Sequence, residues 1–151
     1  MRIISHRGNL NGPSPKTENK KKTIENCINL GFDVEVDLWF ESNKFFLGHD
    51  SPDEFIDNSI FKSEKIWFHI KNISTLEVIK EFRPKNYFWH EKDVCALTSS
   101  GKFWLYPGNY ISSNDAIFVL PEQSKIPLEP QKYTCYGICT DFVNRFDSYF
   151  Q

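Results

Sequence analysis

The sequence predicts an α/β fold in which a mainly parallel sheet carries a polar site at the carboxyl ends of its strands. Short apolar runs rich in β-branched and aromatic residues alternate with segments of helical spacing. The carboxylate pair Glu35 and Asp37 lies within one such run. Every histidine of the chain closes a run of the same kind: His6, His49, His69 and His90. Histidines titrate near neutral pH and carboxylate pairs hold hard cations, so the pattern indicates metal-assisted acid–base chemistry.

The first half of the chain contains the alternation of predicted strands and helices. Residues 2–6 and 34–40 are predicted strands, and the second continues through Ser42 and Asn43 into a hairpin with residues 45–47. Between them, residues 21–30 have helical spacing and end at Gly31.

The next segment repeats the pattern in a shorter form. Residues 53–61 are predicted to hold a short helix, and residues 66–70 a strand. Residues 74–82 form a second predicted helix, which Ser74 can cap and Pro84 ends.

Beyond Pro84 the connections become short. Residues 87–90, 103–106, 116–120 and 136–142 look like strands, but the segments between them cannot hold full crossover helices. A complete (β/α)₈ barrel takes ~250 residues. A chain of 151 residues is therefore expected to be a single domain over residues 1–151, in which any barrel is pared down or incomplete.

Composition narrows the class of partner. Hydrophobic residues make up 40% of the chain, enough for a packed core, and the net charge of −2 gives no general attraction to nucleic acid or anionic membranes. Basic surface is sparse apart from Lys20–Lys22, which disfavours a nuclease. No apolar run approaches the ~20 residues that span a bilayer, and the chain enters its first strand at Arg2 without a signal peptide. The four cysteines lack C-x-x-C spacing, so we expect reduced thiols and a cytoplasmic location, with a small molecule as partner.

Strand periodicity groups the polar residues. Side chains alternate faces along a strand, so Glu35 and Asp37 share one face of their strand, and His69 and Lys71 share one face of theirs. Two carboxylates on one buried face require a cation or a proton to offset their repulsion. The alternative is that Glu35 and Asp37 are simply exposed on an edge strand.

Four short motifs, in this order and spacing, resemble the glycerophosphodiester phosphodiesterase family of the phospholipase-C-like phosphodiesterase superfamily. They are His6-Arg7-Gly8, Glu18-Asn19, Glu35-x-Asp37 and His49-Asp50. Residues 136–141 look like the last barrel strand of that family, although the resemblance is dense only over residues 1–50. It implies a pared-down TIM-like (β/α) barrel with short or missing helices in the C-terminal half.

The resemblance also implies an activity: a phosphoric diester hydrolase that cleaves a small soluble phosphodiester, such as a glycerophosphodiester or a nucleotide-linked alcohol. His6 and His49 would be the acid–base pair, and Arg7 a phosphate contact. Glu35 and Asp37 would bind a divalent cation, Mg²⁺ or Ca²⁺, with Mn²⁺ as an alternative. Glu18 and Asn19 would line the same mouth.

The chain departs from the family pattern at the third metal ligand. Where the family shows Glu-x-Lys, this sequence has His69-Ile70-Lys71, which keeps the lysine and loses the carboxylate. We expect His69 and Lys71 to contact the phosphate, and Glu122, after another strand, to supply the missing oxygen. An imidazole ligand would weaken Ca²⁺ or Mg²⁺ binding and favour Mn²⁺ or Zn²⁺. The competing hypothesis is a non-catalytic barrel that binds a phosphorylated ligand.

Two further segments look like site loops. Residues 90–93 place four ionisable groups after a strand, and residues 104–108 set two aromatics before a turn. Trp104 and Tyr106 could stack on a base or a sugar, and core packing is the alternative for both.

Overall fold

A computed structural model describes residues 1–125, 128–129 and 132–147, and it shows one curled mixed sheet of ten strands. The pared-down TIM-like barrel is therefore wrong. The described residues contain three short α-helices, too few to alternate with the strands, and the sheet does not close on itself. The cause is the short connections beyond Pro84, together with three antiparallel pairings where a barrel of this kind would have crossover helices.

The strands of the sheet are β1 (Arg2–His6), β2 (Asp33–Glu41), β3 (Lys44–Leu47), β4 (Glu54–Ile56), β5 (Ile66–Ile70), β6 (Asn86–Phe88), β7 (Cys95–Leu97), β8 (Phe103–Leu105), β9 (Ala116–Val119) and β10 (Gly137–Thr140). The helices are α1 (Lys21–Asn29), α2 (Ile73–Phe82) and α3 (Val143–Asp147), with 3₁₀ turns at Asn58–Lys62 and Pro121–Gln123.

Seven strands form a parallel run in the order β6-β5-β2-β1-β10-β9-β8. Strand β3 pairs antiparallel with the carboxyl-terminal half of β2 and with β4. Strand β7 pairs antiparallel with β8. Because the seven strands point the same way, their carboxyl ends meet along one edge of the sheet.

Beyond shifts of a few residues at element ends, the structure differs from the sequence expectations in the cap of α2, in residues 53–61, in strand β7 and in helix α3, which was not expected. The cap of α2 is Asn72, whose side chain accepts a hydrogen bond from the backbone N–H of Thr75, and not Ser74. The predicted helix over residues 53–61 is strand β4 followed by a 3₁₀ turn. Strand β7 was not predicted: the apolar run of residues 94–97 is short, and Cys95 and Leu97 are exposed.

Both faces of the curled sheet are buried, and the two faces differ in what covers them. The outer face packs against the helices, through residues such as Ile24, Cys27 and Ile79 in one cluster and Val143 and Phe146 in another. The inner face is filled by strand side chains: Ile4, Trp67, Phe88, Ala96, Trp104, Ile117, Val119 and Cys139. The ring centroids of Phe88 and Trp104 lie 4.3 Å apart, which places Trp104 in this core.

Within the part of the chain that the structure describes, no helix has the length and hydropathy needed to cross a membrane.

Candidate functional site

A polar cavity of about 520 Å³ lies where the inner face reaches the carboxyl ends of the strands. Four strands contribute a polar residue two positions after an inner-face apolar residue: His6 after Ile4, His69 after Trp67, His90 after Phe88 and Asp141 after Cys139. Its lining includes all four histidines, with Arg7, Glu18, Glu35, Lys71, Tyr106 and Asp141. The cavity thus combines acid–base groups with cationic side chains and a partly aromatic wall.

His6 forms a buried pair with Asp141. Its Nδ1 lies 2.7 Å from Asp141 Oδ1, and the side-chain amide of Asn9 donates to the same oxygen at 2.8 Å. Burial alone would lower the pKa of His6, but the hydrogen bond to Asp141 and the Glu35 carboxylate outweigh burial and raise it. For Asp141, burial would raise the pKa, and the contacts with His6 and Asn9 outweigh it and lower that pKa. The pair therefore favours a charged imidazolium and a charged carboxylate.

His49 reaches the same cavity from the turn after β3. Its Nδ1 lies 2.7 Å from Asp50 Oδ1, but both side chains are largely open to solvent. Gly48 sets the turn: at φ +153°, a Cβ there would lie 2.0 Å from the carbonyl oxygen of Ser51. Trp39 Nε1 donates to the Gly48 carbonyl at 2.6 Å, which ties the turn to β2. His49 also lines a neighbouring cavity of about 340 Å³ that contains Glu18, Asp50 and Asp53.

Asp37 is fully buried and surrounded by nitrogen atoms. Its Oδ1 lies 3.0 Å from His69 Nδ1 and 3.4 Å from Lys71 Nζ. Its Oδ2 accepts a hydrogen bond from Asn19 at 2.9 Å and lies 3.1 Å from Arg7 Nε, an ion pair without hydrogen-bond geometry. Burial would raise the pKa of Asp37, but His69, Arg7 and Lys71 outweigh burial and lower that pKa strongly. Asp37 is an ionised carboxylate held by the protein's own cations.

Glu35 is as buried as Asp37 but is far less well paired. The backbone N–H of Arg7 donates to its Oε2 at 3.3 Å, and the nearest imidazole nitrogens, on His6 and His69, lie 3.9 Å from the carboxylate. Burial and the Asp37 charge raise the pKa of Glu35. Of the two neighbouring carboxylates, Glu35 is the one whose ionised form the surroundings disfavour.

His69 uses both of its ring nitrogens. Nε2 lies 2.9 Å from the backbone carbonyl of His90, which can only accept, so Nε2 carries a proton. Nδ1 lies 3.0 Å from the carboxylate of Asp37, so both ring nitrogens are hydrogen-bonded. A ring held in this way has no free nitrogen to offer a metal ion, and its stacking on Phe88 fixes its plane.

The donor atoms of Glu35, Asp37 and His69 lie within 4.8 Å of one another, close enough to share a cation. They fit a divalent cation poorly as arranged, because His69 is hydrogen-bonded at both nitrogens and the Asp37 oxygens already contact Arg7 and Lys71. The oxygen expected from Glu122 lies elsewhere: its Oε1 accepts from Thr140 Oγ1 and from the backbone N–H of Asp141.

The structure brings together most of the residues that the sequence singled out. His6, Arg7, Glu35, His49, His69 and Lys71 line one cavity, and Asp37 lies directly behind Arg7, His69 and Lys71. Glu122 stands apart, as a partner of the β10 carboxyl end. Asn9 and Asp141 were missed as site residues, although Asp141 lies near the carboxyl end of the predicted strand over residues 136–142.

Comparison of this chain with protein-family models, with curated proteins and with solved structures finds no match. The assignment of a function therefore depends on the chemistry of the cavity.

Proposed function

We propose that the cavity binds and cleaves a small phosphodiester, with His6 and His49 as its acid–base pair. The observation that supports this proposal is that His6 and His49, each with an aspartate oxygen 2.7 Å from its Nδ1, line one cavity with Arg7 and Lys71. The resemblance of the first 50 residues to the glycerophosphodiester phosphodiesterase family adds to it.

Cleavage of a phosphodiester requires one group that takes a proton from the attacking oxygen and one that gives a proton to the leaving oxygen. Asp141 holds Nδ1 of His6, which leaves Nε2 for the reaction. The raised pKa of His6 favours its protonated form, which suits the proton donor. His49, more open to solvent, is then the base that activates the attacking oxygen.

The negative charge of the phosphate needs cationic partners, and Arg7 and Lys71 supply them from the lining. A divalent cation would add Lewis-acid stabilisation. Glu35 is the side chain best placed to hold one, since Asp37 and His69 are engaged elsewhere. No step of the proposed reaction depends on it.

A second candidate function is binding of a phosphorylated ligand without cleavage. The observation that favours it is the weak restraint on His49, whose partner Asp50 is itself almost fully exposed. A solvent-exposed ion pair restrains a side chain poorly, and a catalytic base requires a fixed position.

A substrate panel separates the two functions. Purified protein would be incubated with glycerophosphodiesters, nucleotide-linked alcohols and a chromogenic diester, each with Mg²⁺, Ca²⁺, Mn²⁺ or EDTA. We expect cleavage of at least one diester, and a fall of about 10² to 10⁴-fold in turnover for His6→Ala and for His49→Ala. Thermal unfolding of both variants checks that the fold survives. Failure to cleave any diester in any condition would contradict the proposal and favour the binding function.

A further inference from the structure

The cations around Asp37 stand between this carboxylate and the cavity. Asp37 is fully buried, whereas Arg7, His69 and Lys71 all line the cavity and all contact its oxygens. A divalent cation that enters from the cavity would meet these side chains first. Before it could reach Asp37, it would have to displace ion pairs in a site where water is scarce.

The same side chains retain N–H groups that their contacts with carboxylates do not use. Arg7 directs Nε at Asp37 and Nη1 at Glu18, so these two contacts leave the N–H groups of Nη2. Lys71 makes one contact with Asp37, at 3.4 Å, and an ammonium group has three N–H donors. Guanidinium and ammonium groups are the usual protein partners of phosphate oxygens.

The carboxylates that line the cavity do not occupy all of the N–H groups of Arg7 and Lys71. Glu18 pairs with Arg7 at 3.4 Å, and Glu35 has an imidazole nitrogen 3.9 Å away on each side, from His6 and from His69. Arg7 and Lys71 both contact the buried carboxylate of Asp37. Glu18, Glu35 and Asp37 therefore each have a nitrogen-bearing side chain nearby within the protein.

We propose that Arg7 and Lys71, held in place by Asp37, bind the phosphate group directly, and that phosphate binding requires no divalent cation. Asp37 then acts as a positioning residue. The family's third carboxylate is replaced by His69, which removes a negative charge from the site and so favours direct binding of an anion. The proposal deepens the proposed function at the same site, since it names how the phosphate is held. It differs from the metal-dependent binding that the resemblance implies.

Inorganic phosphate is the probe, measured on the full chain by isothermal titration and by thermal unfolding. We expect phosphate to bind, and to raise the melting temperature equally, with EDTA and with Mg²⁺ or Ca²⁺. We expect Mg²⁺ and Ca²⁺ alone to cause no shift. Phosphate binding that EDTA abolishes and a divalent cation restores would overturn the proposal, and so would the absence of phosphate binding in all conditions.

Variants locate the binding groups. Lys71→Met should weaken phosphate binding by about 10- to 100-fold, the loss expected for one hydrogen bond to a charged group. Lys71→Arg should retain most of the affinity, which separates charge from packing. Lys62→Met, on an exposed lysine outside the cavity, is the matched control. Equal affinity in Lys71→Met and wild type would overturn the proposal.

His69→Glu restores the carboxylate of the family pattern and supplies the opposite test. It should create Ca²⁺ or Mg²⁺ binding that the wild type lacks, because an oxygen ligand replaces a ring that is hydrogen-bonded at both nitrogens. Wild-type protein that already binds these cations as tightly as the variant would overturn the proposal. The proposed function is tested separately. It fails if no diester is cleaved, whether or not inorganic phosphate binds.

Discussion

At the scale of single residues, the most informative contact is the one between His6 and Asp141, because it joins the two ends of the chain in the site. The residues are 135 positions apart, and parallel pairing of β1 with β10 places them side by side. The contact stabilises charge on both partners. It contributes to the free energy of unfolding above the ordinary carboxyl pKa of Asp141, and this contribution is lost as the pH rises through the raised pKa of His6 in the folded protein.

Asp141→Asn should lower the pKa of His6, because the neutral amide removes the charge that offsets burial. The measurement is an NMR titration of the histidine ring carbons, which needs no substrate. In the same variant, the free energy of unfolding should fall most in the pH window where both partners are charged.

Asp115→Asn is the control for this titration, since Asp115 is a partly exposed carboxylate that pairs with Lys102 away from the cavity. It should leave the titration of His6 unchanged. A His6 that titrates at the same pH in Asp141→Asn as in the wild type would show that Asp141 does not set its charge.

At the scale of elements, Asn72 determines where α2 begins and how it joins the sheet. Its Oδ1 accepts from the backbone N–H of Thr75 at 3.0 Å, and its Nδ2 donates to the Phe40 carbonyl of β2 at 3.1 Å. The preference for an N-cap was visible in the sequence, but the choice between Asn72 and Ser74 was not. The deciding contact comes from β2, 32 residues away.

Asn72→Ala should lower the free energy of unfolding by about 1–3 kcal/mol, since it removes an N-cap and a hydrogen bond to β2. Ser74→Ala, at the cap position that the sequence suggested, should cost less than about 0.5 kcal/mol because Ser74 is exposed. Urea denaturation measures both. A larger loss of unfolding free energy in Ser74→Ala than in Asn72→Ala would show that Ser74 caps α2.

At the scale of the whole molecule, local patterns predicted the central strands well and the closure of the sheet badly. Residues 2–6 and 66–70 match β1 and β5 because each contains a short run of β-branched or aromatic residues, Ile3–Ile4 and Ile66–Phe68, that ends before a histidine. Periodicity describes one strand at a time, and it does not indicate whether the last strand meets the first. The contact between His69 and Asp37 depends likewise on the register that pairs these residues across β2 and β5, which no local pattern contains.

The open sheet has a measurable consequence in hydrogen exchange. Strands β1 and β10 are flanked by a parallel partner on both sides, whereas within the described part of the chain β6 pairs only with β5 and β7 only with β8. The segment after β7 approaches β6 through Ser99, whose backbone N–H donates to the Tyr87 carbonyl at 2.8 Å, but no ladder joins the two strands.

Amides of β1 and β10 should therefore exchange more slowly than those of β6 and β7, by about tenfold or more, because strands at an edge open in smaller and less costly units. Mass spectrometry of peptides from the four strands measures this, and β9, which has neighbours on both sides, should behave like β1. A closed barrel would flank β6 and β7 on both sides as well. Equal protection in all four strands would then indicate that the sheet closes in solution, and that the cavity is the mouth of a barrel rather than the rim of a curled sheet.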